Sequence, residues 1–476
     1  MKKHLILLLC ILFVSPLVFT DDEQLHSVQL RIDTPRQVIR GFGACGAWFE
    51  DEYMRYSEEE RREFTDLLFD PDIGLGLSIY RTRIYHQARG DEVAEPFDPE
   101  NRHVVAIGRF CQELASRYDL TFKAAPWTPP PWMKTNTSSR GGELKKEFYP
   151  DYAAYLVKMV THLRDEYGVT LDVLSVQNEA DSKKQWDSCV WSAEQLTEFT
   201  RDHLLPAMND AGLEDLKLTV NEQTAWTDRT INKILDDPVL AKEIDIASAH
   251  QYWGAHRRDR IRPFEKARDL GLDVWMTEFY YGNYLLKNRR HDEDGANDIE
   301  TPKTFTEMDR TLALARIQHE SLTKAEVNAW LFWWLFSTKT KSIQGLVRAH
   351  QEFPDIREGP LTGYTVNTWA YGLGQFSKFV RPGSIRIPVE PSEPEKGLLL
   401  SAYRRPDNRI VLVTINLSQE DARISPKAQG LPPGWSATRT SAEENLQAVD
   451  ALENGTLLLK ARSMTTFLSD SDSSNL

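Results

Sequence analysis

Eight times between Gly41 and Phe336 a short apolar, β-rich run gives way to a longer amphipathic stretch, and this alternation restricts the chain more than any other feature. The runs are "GFGACGAW", "LSIYRTRI", "TFKAAPW", "DVLSVQNE", "KLTVNEQ", "IDIASAHQY", "DVWMTEFYY" and "NAWLFWWLF". Strands separated by helices must pair in parallel, because the helix carries the chain back to the starting edge of the sheet. Eight such units are what a closed (β/α)8 TIM barrel requires. Intervening segments such as "SAEQLTEFTRDHLLPAMNDAG" read as helices, with Ser192 as N-cap and Gly212 as the stop. The stretch after the seventh run, "YGNYLLKNRRHDEDGANDIETPKTF", is charged and aperiodic and reads as a long loop.

From about Phe376 the pattern changes to alternating strands and turns, including "RIVLVTINLS" and "TLLLKARSMTTFL", which reads as a side β-sandwich. The early stretch "HSVQLRIDTPRQVIR" alternates in the same way and is expected to pair with it. The expected organisation is an α/β chain with a leader at 1–20, N-terminal strand at 21–40, barrel at 41–375, sandwich at 376–468 and frayed tail at 469–476. The leader assignment rests on "MKKHLILLLCILFVSPLVFT", two lysines before a short apolar segment, which is the layout of a secretory signal and too short for a membrane span. A secreted or periplasmic location follows. Beyond Cys10 in that segment, Cys45, Cys111 and Cys189 are an odd, sparse set with no metal-binding spacing, so no disulfide framework and no structural zinc are expected.

The runs end unusually. "DVLSVQNEAD" spends Val173, Leu174 and Val176 on a buried strand and then finishes in Gln177, Asn178 and Glu179. An unpaired buried carboxylate would cost several kcal/mol. Other runs end in Arg81 and Arg83, Trp127, Glu222, His250 and Tyr252, Glu278, and Trp333. Barrel enzymes hold their active sites at these C-terminal strand ends, so the polar ends imply a shared cavity. By strand parity Gln177 pairs in direction with Glu179, and Met276 with Glu278, which would aim both glutamates into the lumen. Two opposed carboxylates are the equipment of glycosidic bond cleavage. Arg81, helped by Tyr252, would keep Glu278 ionised as nucleophile; Trp186 and Trp191 would wall Glu179 with apolar surface, raise its pKa and make it the acid/base.

For substrate binding the same ends offer Asn178, Arg81, Trp127, Tyr252, Trp333 and His250; the indoles, with Trp132, are suited to stacking on sugar rings or to the core. His250 reads as a hydrogen-bonded histidine rather than a metal ligand, and Glu222 as a sugar contact or, failing that, a solvated rim residue. The net charge of −14 argues against nucleic acid or an anionic membrane as partner. No GxSxG elbow, Walker loop or strand-linked GxGxxG is present.

These residues resemble glycoside hydrolase family 30, in the clan of retaining (β/α)8 enzymes. The likeness is carried by "RGFGACGAWFE", "APWTPPPWMKTN", "SVQNEAD", "VWMTEFYY" and "GQFSKFVRPGSIRI". "SVQNEAD" with "DSCVWS", and the last motif, resemble the xylanase branch; "WTPPPWMKTN" resembles the glucosylceramidase and β-1,6-glucanase branches. The resemblance implies acid/base Glu179, nucleophile Glu278, Asn178 bonded to the substrate 2-hydroxyl, and no metal or organic cofactor. Ala180 stands where the family often has proline, and the insert bearing Arg289 and Arg290 departs from the xylanase pattern. The expected function is a monomeric, endo-β-1,4-xylanase-like hydrolase of a polysaccharide or oligosaccharide. The rivals are an exo-β-glucosidase, glucosylceramidase-like or β-1,6-glucanase activity and a non-catalytic carbohydrate-binding protein.

Overall fold

The computed structural model describes residues 25–87, 97–253, 260–280, 306–337, 343–351, 361–391, 397–432, 434–453 and 456–471. The expected leader, Arg289 and Arg290 lie outside the described residues. A parallel sheet runs in space as Lys217–Thr219, Val173–Ser175, Thr121–Pro126, Ile79–Ile84, Gly41–Cys45, Ala329–Phe332, Asp273–Phe279, Ile246–Trp253 and Glu222–Ala225. Its two outermost pieces, Lys217–Thr219 and Glu222–Ala225, are halves of one broken strand, so the nine pieces form eight staves and the sheet closes on itself. Closure is completed where Asn178 bridges Glu222 and the Glu179 N–H donates to the Glu222 carbonyl at 2.7 Å. The break places Val220 and Asn221 between two directions of the fifth stave.

Helices cover the outside. Ser57 with Glu60, Ser192 with Gln195 and Thr306 with Asp309 form reciprocal capping boxes at the starts of three of them, each worth about 1 kcal/mol of helix stability. Helix Tyr149–Tyr167 stops at Gly168, whose φ of 66° is the left-handed conformation glycine adopts most readily. Inside the barrel the floor is apolar, packed by Ile79, Val173, Ile246, Trp275, Ala329 and Leu331. Two residues further along their strands, Ile79 and Ile246 give way to Arg81 and Ser248, and His250 follows. A polar layer therefore rests on a dry one.

After the eighth stave the chain builds a small sheet from Trp334–Ser337, Gly345–Gln351 and Leu361–Val366, which the strand and helix periodicities do not announce. It lies on the rim, where Trp334 and Ser337 face the cavity.

The side domain is a sandwich of a five-stranded and a six-stranded sheet. Strand Leu25–Leu30 belongs to the former, parallel to Ala422–Lys427 and antiparallel to Val389–Glu390. Leu400, Leu412 and Phe467 of the six-stranded sheet fill the sandwich interior, while Leu399, Val411, Val413 and Met464, alternating with them, pack into the barrel core. Burial on both faces explains the four consecutive apolar residues Ile410, Val411, Leu412 and Val413 at the start of strand Ile410–Asn416. Ser469, expected in the tail, pairs with Trp435 as the last residue of its strand. Cys45, Cys111 and Cys189 are buried and free.

Candidate active site

The polar strand ends meet in a cavity of about 770 Å³ whose lining includes Trp48, Trp127, Glu179, Lys184, Trp186, Tyr252, Glu278 and Trp333. Glu278 gets there by a device that parity does not predict. Trp330 stands opposite Met276, but Phe332 stands opposite Phe279, so the seventh strand carries one extra residue between them. Met276 and Phe279 pack outward with Trp330, and Trp275 packs into the floor. Strict alternation from Trp275 would send Glu278 outward with Met276; the bulge turns it inward, a common use of bulges near active sites. Parity also fails in the fourth strand. Gln177 donates to the Trp127 and Asn178 carbonyls and accepts from the Trp191 indole, while Asn178 and Glu179 turn to the lumen. Glu179 has φ of 48°. A side chain in that region costs on the order of 1–3 kcal/mol, sustained only where surrounding bonds dictate it. Here the Asn178 and Glu179 N–H groups are both bound, to the Pro126 and Glu222 carbonyls.

Arg81, wholly buried, organises the site: Nη1 donates to Glu278 at 2.6 Å, and Nη2 to Asn178 at 2.6 Å and Glu222 at 2.8 Å. Its guanidinium lies 4.7 Å from the Trp127 ring centre. The Tyr252 hydroxyl donates to the other Glu278 oxygen at 2.9 Å. His250 stands between the glutamates, Nδ1 at 3.3 Å from Glu179 and 3.8 Å from Glu278, Nε2 at 3.4 Å from Glu222. Burial works against a charged imidazole, but Glu278, Glu179 and Glu222 together outweigh it and push His250 up to about 9. Both ring nitrogens then carry protons, as a ring set among carboxylates on both sides requires.

Glu222 is neither the sugar contact nor the solvated rim residue that the sequence suggests. It is fully buried beneath the glutamate pair, bound by Lys123, Arg81 and His250. Burial opposes its ionisation, but Arg81 and Lys123 hold its carboxyl well below the usual range. Burial likewise draws the Lys123 ammonium down to about 8, against the pull of Glu222.

The expected apolar wall for Glu179 is also absent. Trp186 is 52% exposed, and Trp191 is buried with its indole on Gln177. Lys184 takes their place, its ammonium 3.2 Å from Glu179. Burial acts to raise Glu179, but His250 and Lys184 prevail and hold it below the ordinary value, whereas burial raises Glu278 against the charges of His250 and Arg81. These directions are the reverse of those expected from the sequence.

Trp127 and Trp333 meet with ring centres 6.0 Å apart. Trp48, which the sequence reading passes over, completes the cluster at 4.9 Å from Trp127 and 6.0 Å from Trp333, with φ of 62°. A non-glycine residue held in that conformation at the mouth of a cavity points to function. Trp132 instead packs edge-on against Phe148. Glu179, His250 and Glu278 offer ligand atoms all within 4.8 Å of one another and could hold a metal ion. The Glu278 oxygens, however, already accept from Arg81 and Tyr252, and those of Glu179 face His250 and Lys184. The charges that neutralise these carboxylates are the protein's own.

Residues 39–351 match the description of glycosyl hydrolase family 59, and residues 383–467 that of the glycosyl hydrolase family 30 β-sandwich domain. Over 482 residues the chain is 26% identical to Glucuronoxylanase XynC of Bacillus subtilis, covering 98% of both chains. It is 26% identical over 324 residues to the lysosomal acid glucosylceramidase of Mus musculus, covering 66% of this chain and 59% of the other. Among solved structures, the family 30 subfamily 8 xylanase Xyn30A of Clostridium acetobutylicum superposes with a TM-score of 0.71 at 26% identity, covering 93% of this chain and 99% of that one.

Proposed function

The chain belongs to glycoside hydrolase family 30, its barrel matching the family 59 description as well, and from that premise we propose a retaining β-glycosidase, secreted or periplasmic, that cleaves xylan-type polysaccharide. The observation that carries the mechanism is the closeness of Glu179 and Glu278, whose nearest oxygens lie within 4.8 Å. Retaining enzymes hold their carboxyl groups about 5–5.5 Å apart and inverting enzymes roughly 6.5–9.5 Å apart, because only the latter must seat a water between carboxylate and sugar.

Glu278 attacks the anomeric carbon while Glu179 gives its proton to the departing glycosidic oxygen. Glu179 then removes a proton from water, which displaces the sugar from the Glu278 ester. Glu278 is aimed by Arg81 and Tyr252, donors on two different oxygens, and both bonds strengthen the carboxylate over the acid. At the moment of attack Glu278 must be ionised and Glu179 protonated, one proton divided unequally between two neighbouring carboxyls. Asn178, whose Oδ1 accepts from Arg81, would use its NH2 on the sugar hydroxyl next to the anomeric centre, and Trp48, Trp127 and Trp333 would take the faces of the ring.

The test is activity on a panel of xylan, glucuronoxylan, β-1,6-glucan, glucosylceramide and aryl β-glycosides, with product configuration read by NMR. Xylan cleavage with a β product appearing first is expected; an α product would overturn the retaining mechanism, and turnover confined to glucosides would overturn the xylan assignment. Tyr252→Phe removes one donor to a charged carboxylate, a bond worth about 1.5–3 kcal/mol. Turnover should accordingly fall by roughly 10- to 100-fold with KM little changed. An unchanged turnover would show that the tyrosine does not aim the nucleophile.

A further inference from the structure

The ion pair between Lys184 and Glu179 has no part in the mechanism above, yet it joins a cation to the one carboxylate that must both give and take a proton. We propose that Lys184 is the proton-control residue of this site: it keeps Glu179 ionised between turnovers and thereby confines the proton-donating step to the acidic side of neutrality. The inference rests on the acid/base reading of Glu179.

The geometry makes this a built contact rather than a passing one. The Lys184 ammonium lies 3.2 Å from a Glu179 oxygen, donates to Thr224 Oγ1 at 3.1 Å and sits 5.8 Å from the Trp186 ring centre, and the side chain is only 13% exposed. The loop that carries it is fastened along its length. Trp191 N–H donates to the Ala180 carbonyl at 3.0 Å and closes its neck. Asp181 accepts from both the N–H and the hydroxyl of Thr224 at 3.0 Å. Ser188 Oγ accepts from the N–H groups of Lys184 at 3.2 Å and Gly141 at 2.9 Å, and Asp187 meets His86 at 3.4 Å. A lysine held this way keeps its charge on one face of Glu179 instead of wandering into solvent.

Around Glu179 the other charged groups are His250 at 3.3 Å on the sixth strand and Glu278 on the seventh, beyond the imidazole, with Arg81 bonded to the neighbouring Asn178. Tyr252 also faces the pair from the sixth strand, and Asp181 sits at the base of the loop. His250 is shared among three carboxylates. Lys184 serves Glu179 alone among them, so it is the cation whose removal acts on this carboxyl selectively. An opposite charge within ~4–6 Å lowers a carboxyl pKa by about 1–3 units. Without it, the protonated form of Glu179 persists to higher pH.

The test is the pH profile of kcat/KM for Lys184→Met and Lys184→Arg in the full chain, on the polysaccharide cleaved fastest in the panel above and on a dinitrophenyl β-glycoside of the same sugar. For the polysaccharide, the alkaline limb of Lys184→Met should move up by about one pH unit, while Lys184→Arg keeps the parental limb. For the dinitrophenyl substrate, whose leaving group departs without a proton, the limb should not move. A parental limb in Lys184→Met, or an equal displacement in Lys184→Arg, overturns the proposal. Glu179→Ala with added azide separates this from the reading beneath it, since azide can displace the sugar from the Glu278 ester without a base and leave a β-glycosyl azide. Azide product together with an unmoved limb removes Lys184 from its role alone; absence of the azide product removes Glu179 from acid/base duty and the proposal with it.

Discussion

Glu278→Gln is expected to lower turnover by roughly 10⁴- to 10⁶-fold on every substrate the parent accepts, the range seen when a nucleophile that works as part of a unit is deleted. The amide keeps the shape of the side chain: its carbonyl oxygen can accept from Arg81 Nη1, while its NH2 takes the place of the oxygen facing Tyr252 and donates to that hydroxyl, so the network loses a charge and reverses one bond. The fold should therefore survive, shown by a thermal midpoint close to the parent's. Stopped assays with an aryl glycoside and with xylan would give the number. Hydrolysis within tenfold of the parent would end the assignment of Glu278 as nucleophile.

Arg81→Met should be costly in a different way. It leaves Glu278 and Glu222 facing each other across a buried space that Arg81 had filled, with Lys123 and His250 as the remaining cations. Removing one partner from a buried ionic network typically costs about 3–5 kcal/mol, because the charges left behind keep their desolvation penalty. Both the urea midpoint and the activity should drop. Arg81→Lys should recover little of either, since a single ammonium cannot reproduce donors that reach Glu278, Asn178 and Glu222 at once. A stability loss below about 1 kcal/mol for Arg81→Met would mean that water or side-chain rearrangement absorbs the charge, contrary to the network described.

The barrel was readable because each stave is buried on both sides and so shows as an apolar run, and because the runs stop in residues that no dry core would accept, Arg81, Glu179, His250 and Glu278 among them. The sandwich was readable from a different signal, short strands and turns following one another without long helices from about Phe376 onward. What escaped was whatever depends on one residue more or less. The extra residue near Glu278 reverses its direction relative to Met276, and the parity argument reached the right face by an alternation that the strand does not follow. Lys184 was overlooked because "SKKQW" looks like a solvated turn; its burial comes from the fastening of that loop to Thr224, Gly141 and His86, residues distant from it in sequence. Glu222 was misread because nothing local in the sequence shows that Arg81, Lys123 and His250 converge on it from three other strands. Trp48 carries the same signal as Trp127 and Trp333, an indole at the end of a strand run, here "GFGACGAW", but was not singled out.

Strand Leu25–Leu30 lies parallel to Ala422–Lys427, its neighbour from the far end of the chain. Ribosomes add on the order of 5–20 residues per second, so this segment emerges early and waits tens of seconds before its mate exists. In that interval its apolar side chains, Val28 and Leu30, have no cover of their own, and the nascent chain depends on chaperones or on the speed of translation to keep them from straying into other polypeptides.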